Sequence, residues 1–125
     1  MMKLILICSL MMCSLFSRAE DVSSTTTQEI EHLLVFLENS GCQFNRNGSW
    51  HSAAEAAAHI RKKYNYLARK KMLTDTESFI KKAATESSIS GKPYIVRCEG
   101  QADINSALWF EKELAEYREA SNPKS

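Results

Sequence analysis

Gly41-Cys42-Gln43-Phe44-Asn45-Arg46-Asn47-Gly48-Ser49-Trp50 is the stretch whose reading decides the fold. Asn-Gly between short aromatic-bearing runs is the strongest short-range hairpin signal, because both residues tolerate the left-handed backbone that a tight turn needs. Two registers compete. A two-residue turn at Asn47-Gly48 puts Phe44 and Trp50 on opposite faces, whereas a three-residue turn with Gly48 left-handed sets them across from one another. The second buries both aromatics together and is the expected register.

Working outward from the hairpin, the chain reads as helices. On the N-terminal side, Thr26 and Glu29 make a capping-box pattern, Ile30, Leu33, Leu34 and Leu37 share one helical face, and Gly41 stops the helix. On the C-terminal side, Ser52 and Glu55 form a second capping box. It opens a helix to about Met72 whose Ala53, Ala57, Ile60, Tyr64 and Leu67 make an apolar stripe. Thr74-Asp75-Thr76-Glu77 supplies a third box, before a helix that buries Phe79, Ile80, Ala83 and Ala84. Ser90-Gly91-Lys92-Pro93 is turn chemistry, and Tyr94-Ile95-Val96-Arg97 is a β-prone run. After Gly100, Ala107, Phe110, Leu114 and Tyr117 mark a final amphipathic helix. The expected fold class is α+β: about four helices packed on a small antiparallel sheet, formed by hairpin 42–51 plus strand 94–98, in a single domain over residues 27–120. Residues 20–26 and 121–125 read as a flexible tail and a frayed end.

Residues 1–19 carry Lys3, then an apolar run of thirteen residues from Leu4 to Phe16, then Ser17-Arg18-Ala19 with small residues at −3 and −1. This is the pattern of a cleaved signal peptide. The run is shorter than the roughly 20 residues a bilayer span needs, so no stable membrane span is expected. Bulky Met12 before Cys13 argues against lipidation.

The chain of 125 residues has 16 Lys and Arg against 15 Asp and Glu, a formal net charge of +1. Removing residues 1–19 takes away two bases and no acid, leaving 106 residues at about −1. A balance this close to neutral excludes a general nucleic-acid binder. Cys8 and Cys13 leave with the leader, so Cys42 and Cys98 remain. In an oxidising compartment an even pair most simply forms one disulfide, which would lay strand 94–98 beside the hairpin. A catalytic thiol and a metal pair are the rivals, and neither cysteine has a nearby His to serve them.

Candidate chemistry is sparse. His51, Glu55 and His59 at i, i+4 and i+8 would stack three metal-capable groups on one helix side, but with Ser52 as N-cap His51 falls outside the helix, and the pattern is not His-Glu-x-x-His. No metal and no cofactor are expected, and no catalytic residue is assigned. Arg61 to Lys71 holds six bases in eleven residues, followed by Lys81 and Lys82, a surface suited to an anionic partner or simply a solvated face. Gly91-Lys92 is not a phosphate loop, since Pro93 stands where Ser or Thr is required. No Gly-x-Ser-x-Gly elbow occurs, and Asn47-Gly48-Ser49 is formally a glycosylation sequon.

The hairpin run, Ala53-Ala54-Glu55-Ala56, His59-Ile60-Arg61-Lys62-Lys63-Tyr64, Glu77-Ser78-Phe79-Ile80 and Ser87-Ser88-Ile89-Ser90-Gly91-Lys92-Pro93-Tyr94 together resemble the YfeK-like family of small exported bacterial proteins of unknown function, over about residues 29–118. The resemblance implies a Gram-negative periplasmic protein and supplies no activity. Its most recognisable residues fall here on Arg46, Asn47, Gly48, His59, Ser88, Gly91, Lys92 and Pro93. The expectation is a non-enzymatic binding or interaction module of the cell envelope, with Arg46, Asn47, His59, Lys63, Ser88 and Lys92 as binding residues. Its partner would be an envelope protein or an anionic ligand, with no nucleic acid. Two alternatives stand beside it. One is a small hydrolase or metal-dependent enzyme centred on His59 with Glu55, His51 or Ser88. The other is an inhibitor or immunity-type protein for an envelope enzyme.

Overall fold

A computed structural model describes residues 22–122, so the leader expected at residues 1–19 and the last three residues of the expected frayed end lie outside the described part. In chain order the elements are α1 (Ser24–Glu38), β1 (Gln43–Arg46), β2 (Ser49–Ser52), α2 (Ala53–Arg69), α3 (Thr76–Ala83), β3 (Ile95–Arg97), β4 (Ile104–Asn105) and α4 (Ser106–Ser121). The strands form one antiparallel sheet in the order β2-β1-β3-β4. The α+β class, the hairpin and the neighbouring 94–98 strand are as expected; the two-residue β4 carried no sequence signal.

The hairpin register is the other one of the two. Phe44 lies opposite His51 and Asn45 opposite Trp50, so the turn is the two residues Asn47-Gly48. Their φ values of 53° and 84° are both left-handed, the geometry whose twist matches paired strands. Phe44 therefore points inward, 2% exposed, with its ring 5.2 Å from that of Tyr94. Trp50 points out, 37% exposed, its ring stacked 4.0 Å from the Arg97 guanidinium. The burial gained by pairing two aromatics inside did not outweigh the preferred turn, because Trp50 finds a cation to cover one face outside.

Helices start where their first orphan N–H groups find an acceptor, and for α1 and α3 these starts differ from the expected ones. Ser23 caps α1 by accepting from the Thr26 N–H at 3.1 Å, so residues 24–26 are helical and not tail. Moving the cap three residues back leaves Glu29 inside the helix and buried, where it accepts from Thr76 at 2.6 Å and Arg118 at 2.7 Å. The cap of α3 is Asp75 paired reciprocally with Ser78, one position on from the Thr74 and Glu77 box. Helix α2 does begin at the Ser52 cap. It ends at Arg69, not Met72, because Lys71 takes φ 56° and the Met72 and Lys71 N–H groups close back onto Leu67 and Ala68. This is a Schellman stop built without glycine.

The helices cover one face of the sheet. Ile30, Leu33, Leu34 and Leu37 of α1, Ile60 and Leu67 of α2, Phe79, Ile80 and Ala83 of α3, and Phe110 and Leu114 of α4 meet Phe44, Tyr94 and Val96 in one core. Trp109 joins them, although its periodicity did not mark it. Cys42 and Cys98 are bonded, with Cα atoms 4.4 Å apart, joining the start of β1 to the end of β3. Among the described residues no helix is long and apolar enough to cross a membrane.

Candidate functional site

Helix α2 presents His59, Lys62, Lys63, Tyr66 and Leu67 on one side, the i, i+3, i+4, i+7, i+8 spacing of a single helical face. Opposite stand Lys82 of α3 and Ser88 from the loop after α3, and together they line a half-open cavity of about 330 Å³. No acidic side chain is among these lining residues. On the other side of His59 a smaller hollow, about 130 Å³, is lined by Phe44, Arg46, His51, Glu55, Ala56 and His59.

Tyr94 ties these walls to the sheet. It is almost fully buried, yet its hydroxyl accepts from Lys63 Nζ at 3.2 Å and lies 3.3 Å from His59 Nε2. Lys63 also donates to the Glu86 carbonyl at 3.1 Å. Burial pulls the Lys63 ammonium below its ordinary pKa, with Glu86 opposing and Arg46 adding to that effect. Burial also pushes the Tyr94 phenol up, so it stays a neutral hydroxyl at neutral pH.

Arg46 Nη1 lies 2.7 Å from His59 Nδ1 and 3.1 Å from Nε2. A guanidinium can only donate, so at least one ring nitrogen accepts and the imidazole is neutral. Burial, and then the charges of Arg46, Lys63, His51 and Lys62, bring the His59 pKa down to about 4. The other interacting arginines behave differently: Arg61 pairs with Glu31, Arg97 with Asp103, and Arg118 with Glu29 and Glu77. Arg46 spends its contact on a neutral ring.

Of the six residues expected to bind, Arg46, His59 and Lys63 converge, and Ser88 lines the larger cavity with His59 and Lys63, while Arg46 lines the smaller hollow. Asn47 and Lys92 serve the backbone. Asn47 accepts from Ser90, linking the hairpin turn to the loop after α3. That loop folds back on itself through Ser87 N–H to Lys92 O, Gly91 N–H to Ser87 O and Tyr94 N–H to Thr85 O, each 2.9 Å. Lys92 lends its carbonyl and N–H to this loop while its residue as a whole is exposed. The sequence reading did not assign Tyr94, Lys62, Tyr66, Leu67 or Lys82 as site residues, although Lys62 and Lys82 belonged to its basic surface for an anionic partner; for the three α2 residues besides Lys63, the helical spacing from His59 was the available signal.

The stack of His51, Glu55 and His59 is not formed. Glu55 engages His51 Nδ1 at 3.1 Å instead of folding back to cap the helix, while His59 faces Arg46 and Tyr94. Among the described residues no group of three His, Cys, Asp or Glu is placed to share a metal ion.

Fold and site thus define a small α+β domain with a cationic cavity between helix, loop and sheet. The chain belongs to a family of unknown function, DUF5329, which matches residues 24–118. It is 43% identical over 63 residues to the uncharacterized protein YfeK of Salmonella typhimurium, an alignment spanning 50% of this chain and 50% of that protein. No solved structure matches.

Proposed function

We propose that the protein is a non-enzymatic binding module of the bacterial periplasm that takes an anionic partner at the cavity between α2 and the loop after α3. The observation that carries this reading is the convergence of Lys62 and Lys63 on one cavity with no acid in its lining, with Lys82 along its wall and Arg46 beside it. Like charges held together cost free energy unless something offsets them, and a bound anion does so. Periplasmic placement is supported by the leader-like residues 1–19 and by the Cys42–Cys98 disulfide. An inhibitor or immunity-type role would use the same surface against an acidic protein face. The hydrolase alternative has weaker support, because among the described residues His59 has no carboxylate bonded to it and Arg46 occupies its Nδ1.

Titration with inorganic phosphate at low salt, followed by amide NMR shifts, tests the reading. Saturable shifts at His59, Lys62, Lys63 and Ser88, lost in Lys62→Glu, are expected. Shifts spread evenly over all basic surfaces, or none, would overturn it.

A further inference from the structure

We propose that the ligand of this cavity is an amphiphile, carrying one anionic head and a short apolar body; the inference rests on the anion-binding reading and adds the ligand's class. The cavity is polarised along α2. His59, Lys62, Lys63 and Ser88 stand at one end, and Tyr66 and Leu67 lie toward the other, so the wall runs about 12 Å from His59 to Leu67 at the helical rise per residue. Lys63 is anchored at the polar end by Tyr94 and Glu86, which aims its ammonium there. Among the described residues Lys62 has no ion-pair or hydrogen-bond partner, and it is exposed where a head group would meet it.

The far end is lined differently. Lys82 sends its ammonium to the Met72 carbonyl at 2.6 Å, so what it adds to the wall is chiefly its methylene stem. Leu67 forms a buried floor and Tyr66 leaves half its surface, 50%, open to solvent. A site for a bare inorganic anion has no use for this apolar wall, whereas an acyl or alkyl chain would remove it from water. Lys82 and Lys70, whose ammonium lies 6.0 Å from the Tyr66 ring, stand at the far end too, so the orientation follows from the apolar wall: chain along Tyr66 and Leu67, head at Lys62 and Lys63.

The test is a chain-length series measured by calorimetry on the oxidised protein: inorganic phosphate, ethyl phosphate and hexyl phosphate, then acetate and heptanoate, with hexanol as the uncharged control. A fully buried methylene is worth about fourfold in affinity, and a half-open groove about half of that on the free-energy scale, so hexyl phosphate should exceed ethyl phosphate by about tenfold or more. Tyr66→Ser, a change at an exposed position, should shrink that ratio. A chain-length gain in either series supports the inference and identifies the head. If ethyl and hexyl phosphate, and likewise acetate and heptanoate, bind within twofold of each other, the amphiphile is wrong and the anion site stands. If no anion binds, or hexanol binds as well as hexyl phosphate, both readings fall.

Discussion

Acidification should reach the protein through His59 first. In the unfolded chain this imidazole takes up its proton near its ordinary value of 6.5, whereas in the folded protein burial and the neighbouring cations delay protonation to about 4. Between those two values the unfolded state holds a proton that the folded state refuses, so stability rises with pH across that window. The contribution is complete above about 6.5, falls as the pH drops, and levels off once the folded ring is also charged. At 1.36 kcal/mol per unit the whole interval would amount to about 3 kcal/mol, and solvent screening of a half-buried ring leaves about 1–2 kcal/mol. Urea unfolding followed by tryptophan fluorescence at about pH 7, 5.5 and 4 reads the loss directly. Depressed carboxylates such as Glu29 and Glu31 act in the same direction at lower pH, so His59→Gln is the comparison that isolates the ring. The wild type should lose more stability than this variant between pH 7 and 4. A His59 ring proton that titrates at 6 or above by NMR, or an equal loss in His59→Gln, would refute the account of an imidazole held neutral by Arg46 and its surroundings.

Replacing Cys42 and Cys98 together by Ala should cost about 4 kcal/mol on the loop-entropy scale for residues 56 apart, measured by urea unfolding with intact mass confirming the oxidised wild type. Asn47→Ala places an ordinary side chain at φ 53° and should cost about 1–2 kcal/mol, while Asn47→Gly should retain most of the stability; the reverse order would contradict the two-residue turn. Phe44→Ala should cost about 3–5 kcal/mol and Trp50→Ala less than about 1.5 kcal/mol, since one ring is buried and the other lies on the outer sheet face. Equal losses would restore the register in which both aromatics face inward.

Helix faces were legible because burial repeats with the helical period. Ile30, Leu33, Leu34 and Leu37 are all at or near zero exposure, as their spacing required. Caps were less legible. Ser, Thr and Asp cluster at every helix start here, and the choice among them is made by tertiary partners: Glu29 was needed by Thr76 and Arg118, not by Thr26. The hairpin failed for a similar reason, since the Arg97 guanidinium that shelters Trp50 lies two strands away on β3 and no local pattern shows it. At the site, His59 and Lys63 could be named from one helix, and Arg46 and Ser88 entered through resemblance. Tyr94, which joins Lys63 and His59, read only as the start of a strand. A buried ring whose hydroxyl reaches a polar cluster has the same sequence signal as one that merely fills the core.

The position of the disulfide has a mechanical consequence. Cys42 and Cys98 bracket the hairpin, α2, α3 and the loop after α3, so every residue from Arg46 to Tyr94 lies inside one covalent ring, while α1 and α4 lie outside it. Tension applied between α1 and α4 would pass from Cys42 to Cys98 through the sulfur bond and bypass the intervening segment altogether. The two outer helices can be peeled away under load, but the chain bearing the cavity cannot be drawn out between them while the bond is intact. A protease cut at exposed Ile89 would likewise open the loop without separating the pieces, leaving both halves of the cavity wall on one covalently joined molecule.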